Sequence, residues 1–371
     1  MKQINFGDTK IAISKPRIVA AEKEGRCWYP AILKFSTGEI MLNYSVNADA
    51  NDNTANAQAV CVSFDEGKTF DFCYDVNGFH NGCGEPRITL EDGRIVGTST
   101  FLKPPVPGNS REFKAHRWIY DQGGKRYSIE PWGADVSGLP RDVLAHPDES
   151  RTWWNRINWF SDIVKVDDGS WISTISMRYE GDDLETTVAV RSCDEGKTWK
   201  YISTIASPED VPGAREGFDE PCLINLGNDK LLCISRVGSG QDQPLAKTVS
   251  NDAGWTWTKV ERMEAFSVAP QICRFTEDTL LLVTGRPGLF IWGNSALGDG
   301  NWGSFDLMEY HNENTEEWKM DARQTSAYID IVSIGPGRAM IVYDRSPFGW
   351  KSVPKDSGDQ SQIWLVEVTL A

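Results

Sequence analysis

One pattern recurs six times along the 371 residues: an apolar run, a tight turn containing Gly or Asp, and a second apolar run. It opens at Tyr29 (YPAILKFSTGEIMLNYS), Glu85 (EPRITLEDGRIVGTST), Phe160 (FSDIVKVDDGSWISTIS), Glu220 (EPCLINLGNDKLLCISR), Ala269 (APQICRFTEDTLLLVTGR) and Ala327 (AYIDIVSIGPGRAMIVYDR). Short β-rich runs around such turns form hairpins. The turn residues Gly38, Gly93, Gly169, Asp229, Asp278 and Gly337 are separated by 55, 76, 60, 49 and 59 residues. A four-stranded propeller blade takes about 40–60 residues, so each interval holds one blade. The expectation is an all-β chain, a six-bladed β-propeller of four-stranded antiparallel blades, spanning 1–371 as a single domain. The 76-residue interval predicts an insertion or long loop within about 101–153, a stretch rich in Pro, Gly, Trp and charge.

A second motif keeps step with the first. SFDEGKTF (63–70), SCDEGKTW (192–199) and SNDAGWTW (250–257) share Ser-x-Asp-x-Gly-x-Thr-aromatic. Ser and Asp side chains bond turn amides, Gly accepts the unusual backbone angle, and the aromatic packs beneath. Asp65, Asp194 and Asp252 are therefore structural. The last repeat supplies only three strands, ending with IWLVEVTL (363–370), so the N-terminal KIAIS (10–14) is expected to join the final blade and close the ring.

A formal net charge of −15 argues against nucleic acid or an anionic membrane as the main partner, while a local arginine cluster can still hold a small anion. No run approaches the ~18 apolar residues of a membrane span. The eight cysteines are scattered singly, and the four histidines (80, 116, 146, 311) form no i, i+4 pair. No metal or other cofactor is expected, and the thiols read as free and reduced. MKQINFGDTK lacks the apolar stretch of a secretory signal, so a cytoplasmic setting is expected, or a secreted one where a signal has been trimmed.

At the three Ser-x-Asp-x-Gly-x-Thr boxes and the E-P-x-L-x-x-L-x-x-D-x-L-L-x-x-x-R segment (220–236), the chain resembles the sialidase-like superfamily of Asp-box (BNR-repeat) propellers, over essentially its whole length. Such boxes specify fold far better than activity. The resemblance implies a glycosidase site at one mouth of the propeller: a Tyr nucleophile paired with a Glu, an Asp acid/base on a loop of the first blade, and an arginine triad for the substrate carboxylate. Carried over residue by residue, Tyr328 stands for the nucleophile and Glu220 for its partner. Arg236 and Arg286 look like two arginines of the triad. Asp49 or Asp52 in NADANDN stands for the acid/base, with Asp52 favoured. One departure is plain: Trp28, in Cys27-Trp28-Tyr29-Pro30, replaces the first triad arginine, and Arg26, two residues away on the same strand face, is the available substitute.

The chemistry suits these residue types. A guanidinium fork binds a carboxylate in a bidentate way. A tyrosine relieved of its proton by a glutamate attacks an anionic sugar without the repulsion a carboxylate nucleophile would meet. Each residue also has a purely structural reading: Glu-Pro at Glu220 and Glu85 is a habit of extended backbone before proline, and tyrosines are often packed in cores. Trp159 is the aromatic singled out for stacking on a sugar. The leading expectation is release of an exo-terminal, acidic sugar from a carbohydrate substrate by a sialidase-like retaining mechanism. Two alternatives stand beside it: an exo-glycosidase or lyase on a neutral sugar or uronate, using Glu85 and Glu220, and a non-catalytic glycan-binding propeller. Oligomeric state is left open.

Overall fold

The computed structural model describes residues 1–22, 27–46, 57–77, 85–145, 157–349 and 359–371. Antiparallel β-sheets account for almost all of its regular structure. The first sheet runs Trp28–Lys34, Ile40–Ser45, Ala57–Ser63, Phe72–Asn77 in simple sequential order. Two further four-stranded sheets repeat this order: Asp219–Gly227 to Glu261–Phe266, and Val268–Arg274 to Gly303–Asp306. Between them and the first lies an eight-stranded sheet of two such halves, starting at Arg87–Thr89 and Ile157–Lys165. The halves join through one parallel contact, Asp135–Ser137 against Thr198–Lys200. Its two end strands, Arg87–Thr89 and Ile157–Lys165, also lie beside each other.

In the last sheet, Ile329–Gly335 and Arg338–Arg345 are followed by Ser361–Leu370. The N-terminal strand Thr9–Ile13 pairs antiparallel with this last strand, Ile11 opposite Leu370, so the two chain ends share one sheet. Arg17–Glu22 pairs farther along it. Six hydrophobic clusters lie between successive sheets and sheet halves. They run from Phe35 and Val60 against Trp118 and Tyr120, around to Val342 and Leu365 against Ile32 and Leu42. The last sheet thus packs back on the first, the arrangement of a β-propeller. Because both faces of each sheet are covered, inner strands read as unbroken apolar runs instead of alternating ones. Ile40–Ser45 is buried at every residue.

The eight-residue turns take the same geometry three times. In the first, the Gly67 amide donates to Ser63 Oγ (2.7 Å), the Thr69 amide to Asp65 Oδ1 (2.9 Å) and Thr69 Oγ1 to Asp65 Oδ2 (2.9 Å). Ser192–Thr198 and Ser250–Thr256 repeat these bonds. Hydrogen bonds hold each of the three carboxylates below the ordinary value, Asp65 at about 2. A related turn escapes the sequence pattern: Asn294 Oδ1 accepts from the Ala296 and Gly298 amides, the two bonds that the Ser hydroxyl accepts in the other three.

One sequence expectation needs revision. Cys61 and Cys73 face each other across neighbouring strands and form a disulfide, so the thiols are not all free. Cys27, Cys222, Cys233 and Cys273 are buried free thiols, and Cys193 is exposed. Within 101–153, a hairpin of Phe113–Asp121 and Arg126–Ser137 completes half of the eight-stranded sheet.

Candidate functional site

The first strands of the sheets share a local irregularity. Tyr29, Glu220, Ala269 and Ala327, each at or just before the start of its strand, and Ser161, midway along Ile157–Lys165, have φ of 51°, 41°, 48°, 67° and 97°. Pairing slips beside four of them, between Trp28 and Ala31, Phe160 and Val164, Asp219 and Cys222, and Val268 and Gln271. A bulge of this kind re-aims a side chain and costs about 1–3 kcal/mol for a non-glycine residue, so the surroundings must hold it in place. At Glu220 they do. Asp219 Oδ1 accepts from the Glu220 amide at 2.7 Å and from Ser176 Oγ, across the sheet boundary, at 2.8 Å.

The Glu220 carboxylate is the centre of the site. Tyr328 Oη donates to its Oε1 at 2.5 Å, joining residues 108 apart in sequence. Its Oε2 lies 2.9 Å from Arg236 Nη1 and accepts from the Ala269 amide at 2.9 Å. Arg236 extends from the last residue of Lys230–Arg236, and its Nη2 is 2.6 Å from Glu216 Oε2. The Tyr29 ring meets Tyr328 edge-on, with centroids 4.9 Å apart. Gly285 makes the approach possible: a Cβ there would land on the Ala327 carbonyl.

The electrostatics follow from burial and pairing. Burial alone would raise the Glu220 carboxyl, but Arg236 and the bonds from Tyr328, Arg236 and the Ala269 amide outweigh it and hold it below the usual value. Burial, with the Glu220 charge beside it, pushes the Tyr328 phenol well above its ordinary range. For Arg236 burial opposes ionisation, and Glu220, Asp219 and Glu216 reverse that. Burial and the charge of Glu220 raise Asp219. The resting state is a neutral tyrosine donating to a carboxylate, with a guanidinium behind that carboxylate. This arrangement can take a proton from the phenol as its oxygen attacks, without either charge standing alone.

A second polar group spans three of the sheets. Arg87 Nη2 lies 2.5 Å from Asp330 Oδ2, which also accepts from the Ile32 amide at 2.9 Å. Arg87 Nε is 3.5 Å from Asp162 Oδ1. Surrounding protein raises Asp162 to about 6 against the pull of Arg87, although its side chain still meets water (40% exposed).

Of the residues expected from sequence, Tyr328, Glu220 and Arg236 come together. Arg286, half-buried, is tied to the same corner by its backbone: Ser267 Oγ donates to its carbonyl, and Ala269, two residues on, donates to Glu220. Trp28 and Trp159 are fully buried and offer no face to a sugar. Trp159 Nε1 donates to Ser173 Oγ (2.9 Å) and its ring meets Trp199 edge-on, so the strand face that carries it points into the core. Glu85 is also buried, its charge felt by Tyr120 and Tyr127. Arg26, Asp49, Asp52 and His80 lie outside the described residues. Sequence reasoning missed Asp219, Glu216, Tyr29, Arg87, Asp162 and Asp330. The X-Pro step that marked Glu220 also marks Tyr29, and that signal could have found it.

The fold and site define a propeller with a buried Tyr–Glu–Arg cluster where its first strands begin. Solved structures share this fold. A protein of unknown function from Dyadobacter fermentans superposes with a TM-score of 0.68 at 15% identity, covering 97% of this chain and 99% of that one. An α-L-arabinanase from Penicillium chrysogenum, solved with arabinobiose, gives 0.63 at 14% identity, covering 95% and 98%. A Hadza microbial sialidase gives 0.62 at 16% identity over 91% of this chain and 65% of its own. No protein-family model and no curated protein sequence matches the chain. The fold is therefore that of the sialidase-like propellers.

Proposed function

We propose that the chain is a six-bladed Asp-box propeller acting as a retaining, exo-acting glycoside hydrolase. Dividing the eight-stranded sheet at its parallel junction supports the count of six blades. The observation that carries the activity is the 2.5 Å bond between Tyr328 Oη and Glu220 Oε1. In the first half-reaction Tyr328 Oη bonds to the anomeric carbon and its proton passes to Glu220. The glycosidic bond breaks, and the leaving oxygen takes a proton from the acid/base, a role we give to Asp52 on the strength of the sequence. In the second half a water, deprotonated by that same acid/base, displaces the tyrosine, and Glu220 returns its proton. Arg236 stabilises the carboxylate at rest and stays in place as the proton moves.

The neutral-sugar reading has a specific observation in its favour. The side chain standing for the first triad arginine is Trp28, fully buried, so no guanidinium comes from that position. A neutral sugar is also what the Penicillium arabinanase was solved with. A panel of fluorogenic aryl sialosides, glucuronides and α-L-arabinofuranosides tests the proposal. We expect turnover of at least one substrate, abolished by Tyr328→Phe. Absence of turnover across the panel, with glycan binding intact, would favour a non-catalytic lectin-like propeller.

A further inference from the structure

We infer that Glu216 occupies, from within the chain, the place on Arg236 that a substrate carboxylate would need, so that the site selects a sugar without an acidic group there. The inference rests on the glycosidase reading and names its substrate class.

A carboxylate is gripped by arginine through two N–H groups on one edge of the fork. On Arg236 neither two-donor edge is open. Nη1 is held by Glu220 Oε2 at 2.9 Å and Nη2 by Glu216 Oε2 at 2.6 Å, with Ser239 Oγ also within 3.3 Å of Nη2. Nε, which would complete the other edge, is buried away from solvent. Glu220 belongs to the nucleophile and lies inside, at 5% side-chain exposure; Glu216 stands outermost, at 38%. An approaching anion would meet the Glu216 charge before it met the guanidinium.

Glu216 is also fixed in place. Its amide donates to the Val237 carbonyl, just past Arg236, and its own carbonyl accepts from the Glu185 amide at 3.0 Å. Gly217 has φ of 88°, and a Cβ there would collide with the Glu185 backbone, so the segment presenting Glu216 rests hard against its neighbour. The nearby Arg178 is likewise matched by an acid, Glu185, at 3.9 Å. A neutral sugar meets no such conflict, because it carries no charge for Glu216 to repel.

The test is ligand-observed NMR titration of the full chain with N-acetylneuraminate, glucuronate and methyl α-L-arabinofuranoside, in wild type, Glu216→Gln and Glu216→Ala. Wild type should hold both anions at least about tenfold more weakly than the neutral glycoside. Both variants should tighten the anions roughly tenfold to a hundredfold, the range of one charged hydrogen bond gained, while the neutral glycoside moves less than about threefold. The inference is overturned when wild type binds either anion as tightly as the neutral glycoside, or when neither substitution tightens the anions. Binding is read without turnover, so a failure of the catalytic reading shows separately, as activity that survives Tyr328→Phe.

Discussion

Replacing Glu220 by glutamine forces a choice on the site. Oε2 receives two donors, Arg236 Nη1 and the Ala269 amide, each at 2.9 Å, whereas Oε1 receives one, the Tyr328 hydroxyl at 2.5 Å. An amide nitrogen at the Oε2 position would face two donors. The substituted side chain must therefore keep its oxygen there and turn its NH2 towards Tyr328, whose hydroxyl becomes an acceptor. The geometry survives, but nothing remains to take the phenolic proton. Arg236 keeps Glu216, so it is not left unpaired, and the stability loss should be about 1–3 kcal/mol, below the roughly 3–5 kcal/mol of a broken buried pair. Turnover should fall by about 10²–10⁴, the range of one general base. Chemical denaturation and kcat on the best aryl glycoside measure the two together. Turnover within about tenfold of wild type, at unchanged stability, would refute the pairing of Tyr328 with Glu220 as the catalytic step.

Other consequences can be checked alongside. Gly285→Ala places a methyl group on the Ala327 carbonyl and should displace Tyr328; we expect a turnover loss of at least about tenfold together with overpacking of about 1–3 kcal/mol, read by kcat and the urea midpoint. Reducing the Cys61–Cys73 bridge, which links residues 12 apart, should cost about 2–4 kcal/mol in wild type and nothing further in the Cys61→Ser, Cys73→Ser variant. Burial raises Asp344 to about 6, against hydrogen bonds from Ser326 and Thr325. The folded chain thus holds a proton there that the unfolded chain, near about 4, has lost. The stabilisation is complete below about pH 4 and gone above about pH 6, so wild type should lose up to about 2–3 kcal/mol relative to Asp344→Asn over that rise. Equal pH slopes for the two proteins would contradict it. Trp159→Ala should lower stability by about 3–5 kcal/mol, and KM measured where the variant is still folded should be unchanged, because the ring lies in the core.

Much of the architecture was legible from residue order, because its causes are local. A turn such as Ser63–Thr69 is made by side chains bonding amides two to four residues away, and the same spacing therefore appears in the sequence. The apolar runs of the hairpins, too, record that both faces of a strand are covered. The related turn at Asn294 was hidden because an asparagine stands at the Ser position and an alanine at the Asp position. Tyr328, Glu220 and Arg236 could be named only by carry-over from the family that the repeats and boxes resemble.

Tertiary structure alone decided which carboxylates share those groups and which aromatics face the site. Trp159 and Trp28 have the composition of sugar platforms, yet the face a strand residue presents depends on register and bulge, set by the neighbouring strand. Glu216 on Arg236, Ser176 on Asp219, and Asp330 shared by Arg87 and the Ile32 amide are contacts brought about by the chain's path between sheets. Repetition along the chain determines the hairpins, since their bonds are short-range. The charge each guanidinium still offers a ligand depends on distances between blades, and no local spacing encodes those.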